Sequence, residues 1–134
     1  MEYTEIKEQQ RNELNNFPMF FAFNKNQFEK GMHRLGVLDK GELARIPAGG
    51  FIRKSDGPAF RALLDKHIEE MDEAMQDREF LIDALAYELN NHEYDYTHDP
   101  EPALKTLGIS LDNEMHNECF QVAHALVMQA SSEI

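Results

Sequence analysis

The sequence contains a single cysteine, Cys119, and no tryptophan. One cysteine cannot close an intramolecular disulfide, and it cannot supply the several thiolates of a structural zinc site. Because Cys119 falls in an apolar stripe with helical spacing, we predict a small buried side chain rather than a reactive thiol. The sequence therefore indicates neither a disulfide framework nor thiol redox chemistry.

Long apolar runs are also missing. No stretch approaches the roughly 20 residues that a membrane-spanning helix needs, and residues 1–16 are polar, without the apolar core of a signal peptide. We therefore expect a cytoplasmic protein with no membrane partner. The chain has 134 residues, 42% of them hydrophobic, so it can form a core of its own and is predicted to be a single domain over residues 1–134.

Basic side chains are scarce in the second half of the chain. Residues 1–64 contain ten Lys/Arg and eight Asp/Glu, whereas residues 65–134 contain three Lys/Arg and seventeen Asp/Glu. The net charge of −12 therefore arises after residue 64. Because so acidic a surface repels nucleic-acid phosphates and attracts basic protein surfaces, we expect a basic protein partner and no direct contact with nucleic acid.

The first third of the chain is predicted to contain a small sheet. Residues 1–16 have helix-forming composition but a thin apolar stripe, so we predict a loosely packed N-terminal helix. Residues 19–23 are an apolar aromatic run typical of a buried strand. A helix capped by Asn24 or Asn26 and ended by Gly36 follows it. Two short runs around the Pro/Gly turn at 47–50 then predict a β-hairpin.

Helices are predicted for the rest of the chain, at 58–76, at 78–91, at 100–107 and from Ser110 onwards. Their predicted inward-facing residues are Phe60, Leu63, Leu64, Ile68, Met71 and Met75; Leu81, Ala84, Leu85 and Leu89; and Leu111, Met115, Cys119, Val122, Leu126 and Ala130, with Phe120 and Ala123 beside them. The predicted fold is α+β and mostly helical, with a small N-terminal antiparallel sheet of about three strands followed by four helices.

A regular row of acidic residues begins on the helix predicted at 58–76. Asp65, Glu69, Glu73 and Asp77 are spaced four apart. Like charges at this spacing cost about 0.2–0.5 kcal/mol per pair, and a sequence selected only for stability would interleave Lys. The row is either a solvated face of an acidic protein or a docking face for a basic partner, on which carboxylates substitute for phosphates.

Five further carboxylates extend the candidate docking surface. Glu70 and Asp72 widen the row, and a second acidic cluster follows the next predicted helix. The candidate partner-binding residues are Asp65, Glu69, Glu70, Asp72, Glu73, Asp77, Glu93, Asp95 and Asp99.

Other kinds of site are weakly indicated. Five of the six histidines lie in the acidic half, and a metal site could use Glu88, His92, His98 and His116, although no zinc-binding spacing is present. No Ser/His/Asp arrangement and no pair of carboxylates around a cleft is evident, so we predict no enzyme activity, no metal and no cofactor.

The hairpin predicted around residues 47–50 carries a local positive excess at Arg45, Arg53 and Lys54. The Gly49-Gly50 turn lacks the spacing of a phosphate-binding loop. The hairpin could contact RNA or a phosphate, but the sequence shows no aromatic stacking platform beside it, so we do not predict such a site.

Four sequence segments occur together: FFAF at 20–23, QFEKG at 27–31, GGFIRK at 49–54 and YELNNHEYDYT at 87–97. From residue 20 to residue 108, this pattern resembles a family of small acidic proteins carried by bacteriophages and other bacterial mobile elements. That family has no established activity, so the resemblance implies a setting rather than a mechanism. Small acidic proteins in that setting often inhibit host defence nucleases, including CRISPR effectors, and some mimic DNA.

The leading hypothesis is therefore a non-enzymatic interaction protein of phage or mobile-element origin in the bacterial cytoplasm. It would bind and inhibit a basic nucleic-acid-binding protein such as a defence nuclease. Two alternatives stay open: a metal-binding protein or metal-dependent enzyme that uses the His/Glu cluster, and a self-associating structural protein whose loop with Tyr94 and Tyr96 packs on a second copy.

Overall fold

The computed structural model of the chain describes residues 2–132. Its helices are α1 Tyr3–Asn15, α2 Lys25–Leu35, α3 Gly57–Ala74, α4 Arg78–Asn91, α5 Tyr94–Thr97, α6 Glu101–Leu107 and α7 Glu114–Ser132. Its strands are β1 Phe20–Phe21, β2 Leu43–Ile46 and β3 Gly50–Arg53, and short 3-10 turns cover Lys40–Glu42, Pro47–Gly49 and Lys54–Asp56. The predicted fold class, mostly helical α+β with a small antiparallel sheet, is confirmed.

Backbone contacts divide the described residues into two compact units. The sheet unit comprises residues 9–69, and the helical unit comprises residues 2–8 and 70–132. The division falls within α1 and α3. The assignment of the whole chain to one domain stays a prediction.

The sheet unit is built on an antiparallel sheet with strand order β1-β3-β2. The predicted hairpin joins β2 to β3, and its turn places Ala48 and Gly49 in the left-handed region, at φ 66° and φ 80°. β1 pairs with β3 through only two residues, with Phe20 opposite Phe51, so it is shorter than the predicted strand at 19–23. The core of the sheet unit is centred on buried Phe20, Val37 and Leu43.

The predicted ends of α2 are confirmed. The Asn24 side chain accepts a hydrogen bond from the Gln27 amide at 2.8 Å, which satisfies one free donor at the helix start. Gly36 ends the helix in the left-handed conformation, at φ 70°, where glycine meets no steric cost. Gly31, within the helix, lies against the Phe20 ring so closely that no side chain would fit there.

Helix α3 buries a different side from the one predicted. His67 is buried, whereas Ile68 and Leu64 are 59% and 38% exposed, so the prediction that Leu64 and Ile68 face inward is wrong. Within the sheet unit, the His67 carbonyl accepts a hydrogen bond from the Gln10 side chain at 2.9 Å, and Phe60 meets Phe17 edge-on with ring centroids 5.2 Å apart. Contacts with α1 and with Phe17, which follows it, therefore lie on the covered side of α3.

Helix α4 is the centre of the helical unit. Its four predicted inward residues, Leu81, Ala84, Leu85 and Leu89, are all fully buried, and α4 packs against α6 and α7. On α7, the buried residues are Cys119, Phe120, Ala123 and Val127, whereas Val122 and Leu126 are exposed. The predicted stripe of α7 is thus correct at Cys119, Phe120 and Ala123. It is wrong at the exposed Val122, Leu126 and Ala130, because the helix turns a neighbouring row of residues toward α4.

The first turn of α1 belongs to the helical unit and is anchored there. Tyr3 is only 3% exposed and lies in the same core cluster as Leu81 and Leu85. Its ring meets that of Phe80 edge-on, with centroids 6.1 Å apart. The thin apolar stripe of residues 1–16 did not indicate this anchor.

Candidate functional site

The acidic row of α3 lies on an exposed side of the helix. Asp65, Glu69, Asp72 and Glu73 are all exposed, whereas Glu70 is partly buried. Asp65, Glu69 and Glu73 follow one another at intervals of four residues, which places them on one side of a helix with 3.6 residues per turn. Like-charged carboxylates therefore occupy consecutive turns of this surface.

Asp77 does not belong to this row, contrary to the prediction that the helix continues through residue 76. α3 ends at Ala74, and Asp77 is the N-cap of α4, where its carboxylate accepts a hydrogen bond from the Glu79 amide at 2.9 Å. A carboxylate at this position satisfies a free amide and interacts favourably with the helix dipole. Asp77 thus has a structural role that its four-residue spacing concealed.

Exposed apolar side chains accompany the acidic row, and the sequence prediction missed them. Leu64 and Ile68 are one turn apart, and each is followed directly by an acidic residue, Asp65 or Glu69. We define the α3 face as the exposed residues Leu64, Asp65, Ile68, Glu69, Asp72 and Glu73. Because the apolar residues of α3 spread over a wider arc than one buried stripe needs, the sequence did contain a signal that some of them would be exposed.

The second predicted acidic cluster is exposed, but it is not a regular row. Glu93 adopts φ 56° at the start of α5. Asp95 accepts a hydrogen bond from the Ser131 hydroxyl at 3.2 Å, and Asp99 accepts one at 3.1 Å from the amide of Glu101, the first residue of α6. Asp95 and Asp99 thus have local structural contacts, which leaves the α3 face as the more regular array of free carboxylates.

The helical unit carries little positive charge to offset its acids. Residues 2–8 and 70–132 contain seventeen Asp/Glu and three Lys/Arg. Two of these three cations already have partners within the unit: Lys7 pairs with Glu88 at 3.2 Å, and Arg78 pairs with Glu118 at 2.8 Å. The negative potential of this unit is therefore available to a basic partner.

Glu88 is the most deeply buried charged residue of the helical unit, at 1% exposure. Its Oε1 accepts hydrogen bonds from the Tyr3 hydroxyl at 2.8 Å and from Lys7 Nζ at 3.2 Å. His92 Nε2 lies 3.4 Å from its Oε2. Burial, followed by the hydrogen bond to Glu88 and the negative charge of Glu88, raises the pKa of Tyr3. A buried carboxylate needs such partners, so Glu88 acts as the polar anchor of α1 on α4.

The residues of the predicted metal alternative do not converge on one point. Glu88 and His92 are close, but within residues 2–132 no third His, Cys, Asp or Glu ligand atom lies within 4.8 Å of both. His98 contacts the Tyr94 ring, and the backbone of His116 belongs to the first turn of α7. The Lys7 ammonium against Glu88 would also repel a metal ion. The structure therefore offers no support for a metal site at this cluster.

Cys119 is buried, as predicted. Its Sγ lies 3.9 Å from the Arg78 carbonyl, and burial raises the pKa of the thiol. A thiol with a raised pKa and no solvent access is a poor nucleophile. Cys119 therefore serves as a small core residue between α7 and α4.

Comparisons with known proteins identify a family but no function. The family model described as a family of unknown function (DUF7659) matches residues 2–130. No curated protein and no solved structure matches the chain significantly. No helix within residues 2–132 is long and apolar enough to cross a membrane.

Proposed function

The chain belongs to this family of unknown function, and we propose from its own surface that it is a non-enzymatic protein-interaction module whose α3 face docks on a basic protein. The observation that carries the proposal is the combination of exposed carboxylates one helical turn apart with the exposed Leu64 and Ile68 beside them. Neither feature improves the stability of the isolated chain. Both suit a partner that supplies cations and an apolar surface.

The carboxylate row supports a partner that normally binds nucleic acid. Four residues advance about 6 Å along a helix axis, so Asp65, Glu69 and Glu73 present negative charge at a regular interval along α3. Lys and Arg side chains that track a phosphate backbone can pair with such a row, and charge complementarity raises the rate of association.

Ile68 supplies an apolar contact, which the carboxylates cannot. Interfaces gain most of their affinity from a few well-buried side chains enclosed by a polar rim, whereas exposed rim charges contribute mainly to association rate and specificity. Ile68 is 59% exposed and lies between the turns that carry Asp65 and Glu69. We therefore assign Ile68 as the apolar anchor and the carboxylates as the rim.

We further propose that the partner is a basic nucleic-acid-handling protein of a bacterial host and that docking inhibits it. The phage or mobile-element setting implied by the sequence resemblance motivates this part, and an inhibitor of a defence nuclease such as a CRISPR effector is its most specific form. In that form the α3 face occupies a site that would otherwise hold DNA or RNA.

The test is a pull-down from bacterial lysate with the tagged protein, treated with nuclease and washed at low and high salt. We expect one basic nucleic-acid-binding protein, retained after nuclease treatment and released by salt. The variant Asp65→Lys/Glu69→Lys/Glu73→Lys should lose it. Because three lysines four apart repel one another much as three carboxylates do, the variant should keep the fold.

A matched control distinguishes the effect of the α3 face from the effect of net charge on partner binding. Glu8, Glu42 and Asp112 are exposed and lie outside the α3 face, and replacing all three with Lys changes the net charge by the same amount. This control should retain the partner, whereas Ile68→Ser should weaken binding without altering its salt dependence. Equal loss of the partner in both triple variants would mean that only total charge matters, and unchanged binding by the α3 triple variant would refute the proposal.

A further inference from the structure

The sheet unit contains a cleft that the acidic docking proposal does not use. Its volume is about 640 Å³, within the range of pockets that hold small ligands. Six of its lining residues carry the argument: the aromatic residues Phe23, Phe28 and Phe51, and the cations Lys25, Lys40 and Arg45. Among the described residues, no Asp or Glu lines this cleft, although the whole chain has a net charge of −12.

The aromatic part of the cleft is packed against the core at its base and exposed at its rim. Phe28 and Phe51 meet edge-on with centroids 5.1 Å apart, and both pack against buried Phe20. Phe23 is 76% exposed. Its backbone amide donates to the Gln27 side chain at 2.8 Å, and its ring lies so close to Gly49 that a Cβ there would be 2.7 Å from the Phe23 ring edge. An exposed ring held in this way is a platform on which a planar ligand can stack.

The cations of the cleft are available to a ligand. Neither the Lys40 nor the Arg45 side chain forms a hydrogen bond or ion pair with another residue in the described part of the chain. Lys25 only approaches Glu29, at 4.0 Å with both side chains largely exposed. The sheet unit contains ten Lys/Arg and seven Asp/Glu, so its net charge is +3. An anion is therefore favoured in this cleft although it is repelled by the helical unit.

We propose that this cleft binds a nucleoside phosphate, with the base stacked on Phe23 and the phosphate held by Lys25, Lys40 and Arg45. Stacking on an aromatic ring accepts any base, and nearby Lys and Arg side chains supply the phosphate contacts. The sequence analysis predicted no RNA or phosphate site at the hairpin because no aromatic platform was evident beside it. The fold supplies that platform from Phe23, which precedes the hairpin in the chain by an entire helix.

The nucleoside phosphate can come from a free nucleotide or from the end of a single strand. The net charge of −12 opposes the approach of a long polyanion. We therefore expect a free nucleotide to bind at least as tightly as an oligonucleotide of the same base.

The test is a titration of the full chain at low salt, with binding measured by calorimetry and by amide NMR shifts. The ligands are ADP, UDP, inorganic phosphate, and 5′-phosphorylated hexaadenylate and hexauridylate. We expect nucleotide binding that shifts the amides of Phe23, Lys40 and Arg45. Phe23→Ala should weaken binding by roughly 5- to 150-fold, the equivalent of one base stack, and Phe23→Trp should retain it. Lys40→Ala/Arg45→Ala should weaken binding and reduce its salt dependence.

The control variant is Lys30→Ala/Lys54→Ala, which removes two exposed cations outside the cleft and should bind as the parent does. Binding of hexanucleotides without mononucleotides would support the same chemistry and identify a strand end as the ligand. The proposal is overturned if neither the mononucleotides nor the hexanucleotides bind, if inorganic phosphate binds with equal affinity, or if both cleft variants keep the affinity of the parent. It is also overturned if the cleft variants abolish self-association of the chain and leave its nucleotide affinity unchanged.

Discussion

Replacing Tyr3 with Phe removes the hydroxyl that donates to Glu88 Oε1 at 2.8 Å and leaves the buried ring in place. A hydrogen bond to a charged group contributes about 1.5–3 kcal/mol. Lys7 Nζ still contacts the same oxygen at 3.2 Å, so the carboxylate is not left without a partner. We therefore expect Tyr3→Phe to lower the free energy of unfolding by about 1.5–2 kcal/mol, toward the lower end of that range.

A second substitution tests whether this loss of stability comes from the hydrogen bond between Tyr3 and Glu88. Glu88→Leu removes the acceptor and leaves the Tyr3 hydroxyl buried without a partner, at a cost of about 1–3 kcal/mol. In the double variant Tyr3→Phe/Glu88→Leu, both groups are apolar and neither is left unsatisfied. The double variant should therefore be less destabilised than the sum of the single variants by about 1–2 kcal/mol.

The assay is urea unfolding followed by circular dichroism at neutral pH, with midpoint and slope fitted for each variant. Tyr96→Phe is the control, because Tyr96 is largely exposed and its hydroxyl forms no hydrogen bond with another described residue. It should change stability by less than about 0.5 kcal/mol. If Tyr3→Phe is equally silent, or if the single effects add within about 0.3 kcal/mol, the assignment of Glu88 as the anchor of α1 is wrong.

Two further predictions concern stability. Gly31→Ala should lower the free energy of unfolding by at least about 1 kcal/mol in the urea assay, because its methyl group would overlap the buried Phe20 ring. Gly57→Ala should instead raise it by about 0.4–1 kcal/mol, because a methyl group there would lie more than 4 Å from any other described part of the chain beyond its own turn of helix. The reverse order would contradict the packing described. The free energy of unfolding should also fall as pH rises above about 10. Tyrosine in the unfolded chain ionises there, whereas burial and Glu88 raise the pKa of Tyr3 in the folded chain. The unfolded state therefore loses this proton first and is stabilised relative to the folded state. Tyr3→Phe should flatten this alkaline loss, and an unchanged pH profile would show that Tyr3 does not cause it.

The features that sequence predicted well depend on neighbours along the chain. Asn24 and Gly36 bound α2, and Gly108 ends α6, because a cap acts on amides and carbonyls within the adjacent turn. At the other end of α6, the N-cap is Pro100, one residue after the predicted Asp99. The hairpin was predicted for the same reason. The four inward residues predicted for α4 are correct because α4 packs against both α6 and α7, so a broad side of this helix is buried and the apolar residues on that side are covered.

Prediction failed where only part of the apolar arc of a helix is buried. α3 offered two neighbouring stripes to the core, and the structure buries the one containing His67 rather than Ile68. α7 likewise buries Val127 in place of Leu126. Composition does not distinguish such stripes, because the choice depends on the shape of the helices packed against them.

By itself, the sequence determined the fold class, the ends of α2, α4 and α6, and the separation of an acidic second half from a mildly basic first half, since these follow from local hydrogen bonding and from composition. Only the tertiary structure decided that Ile68 is exposed beside the carboxylates of α3, that Phe23 joins Lys40 and Arg45 in one cleft, and that Tyr3 reaches Glu88, 85 residues away in sequence. These three outcomes depend on which distant segments pack together, and no pattern within one segment contains that information.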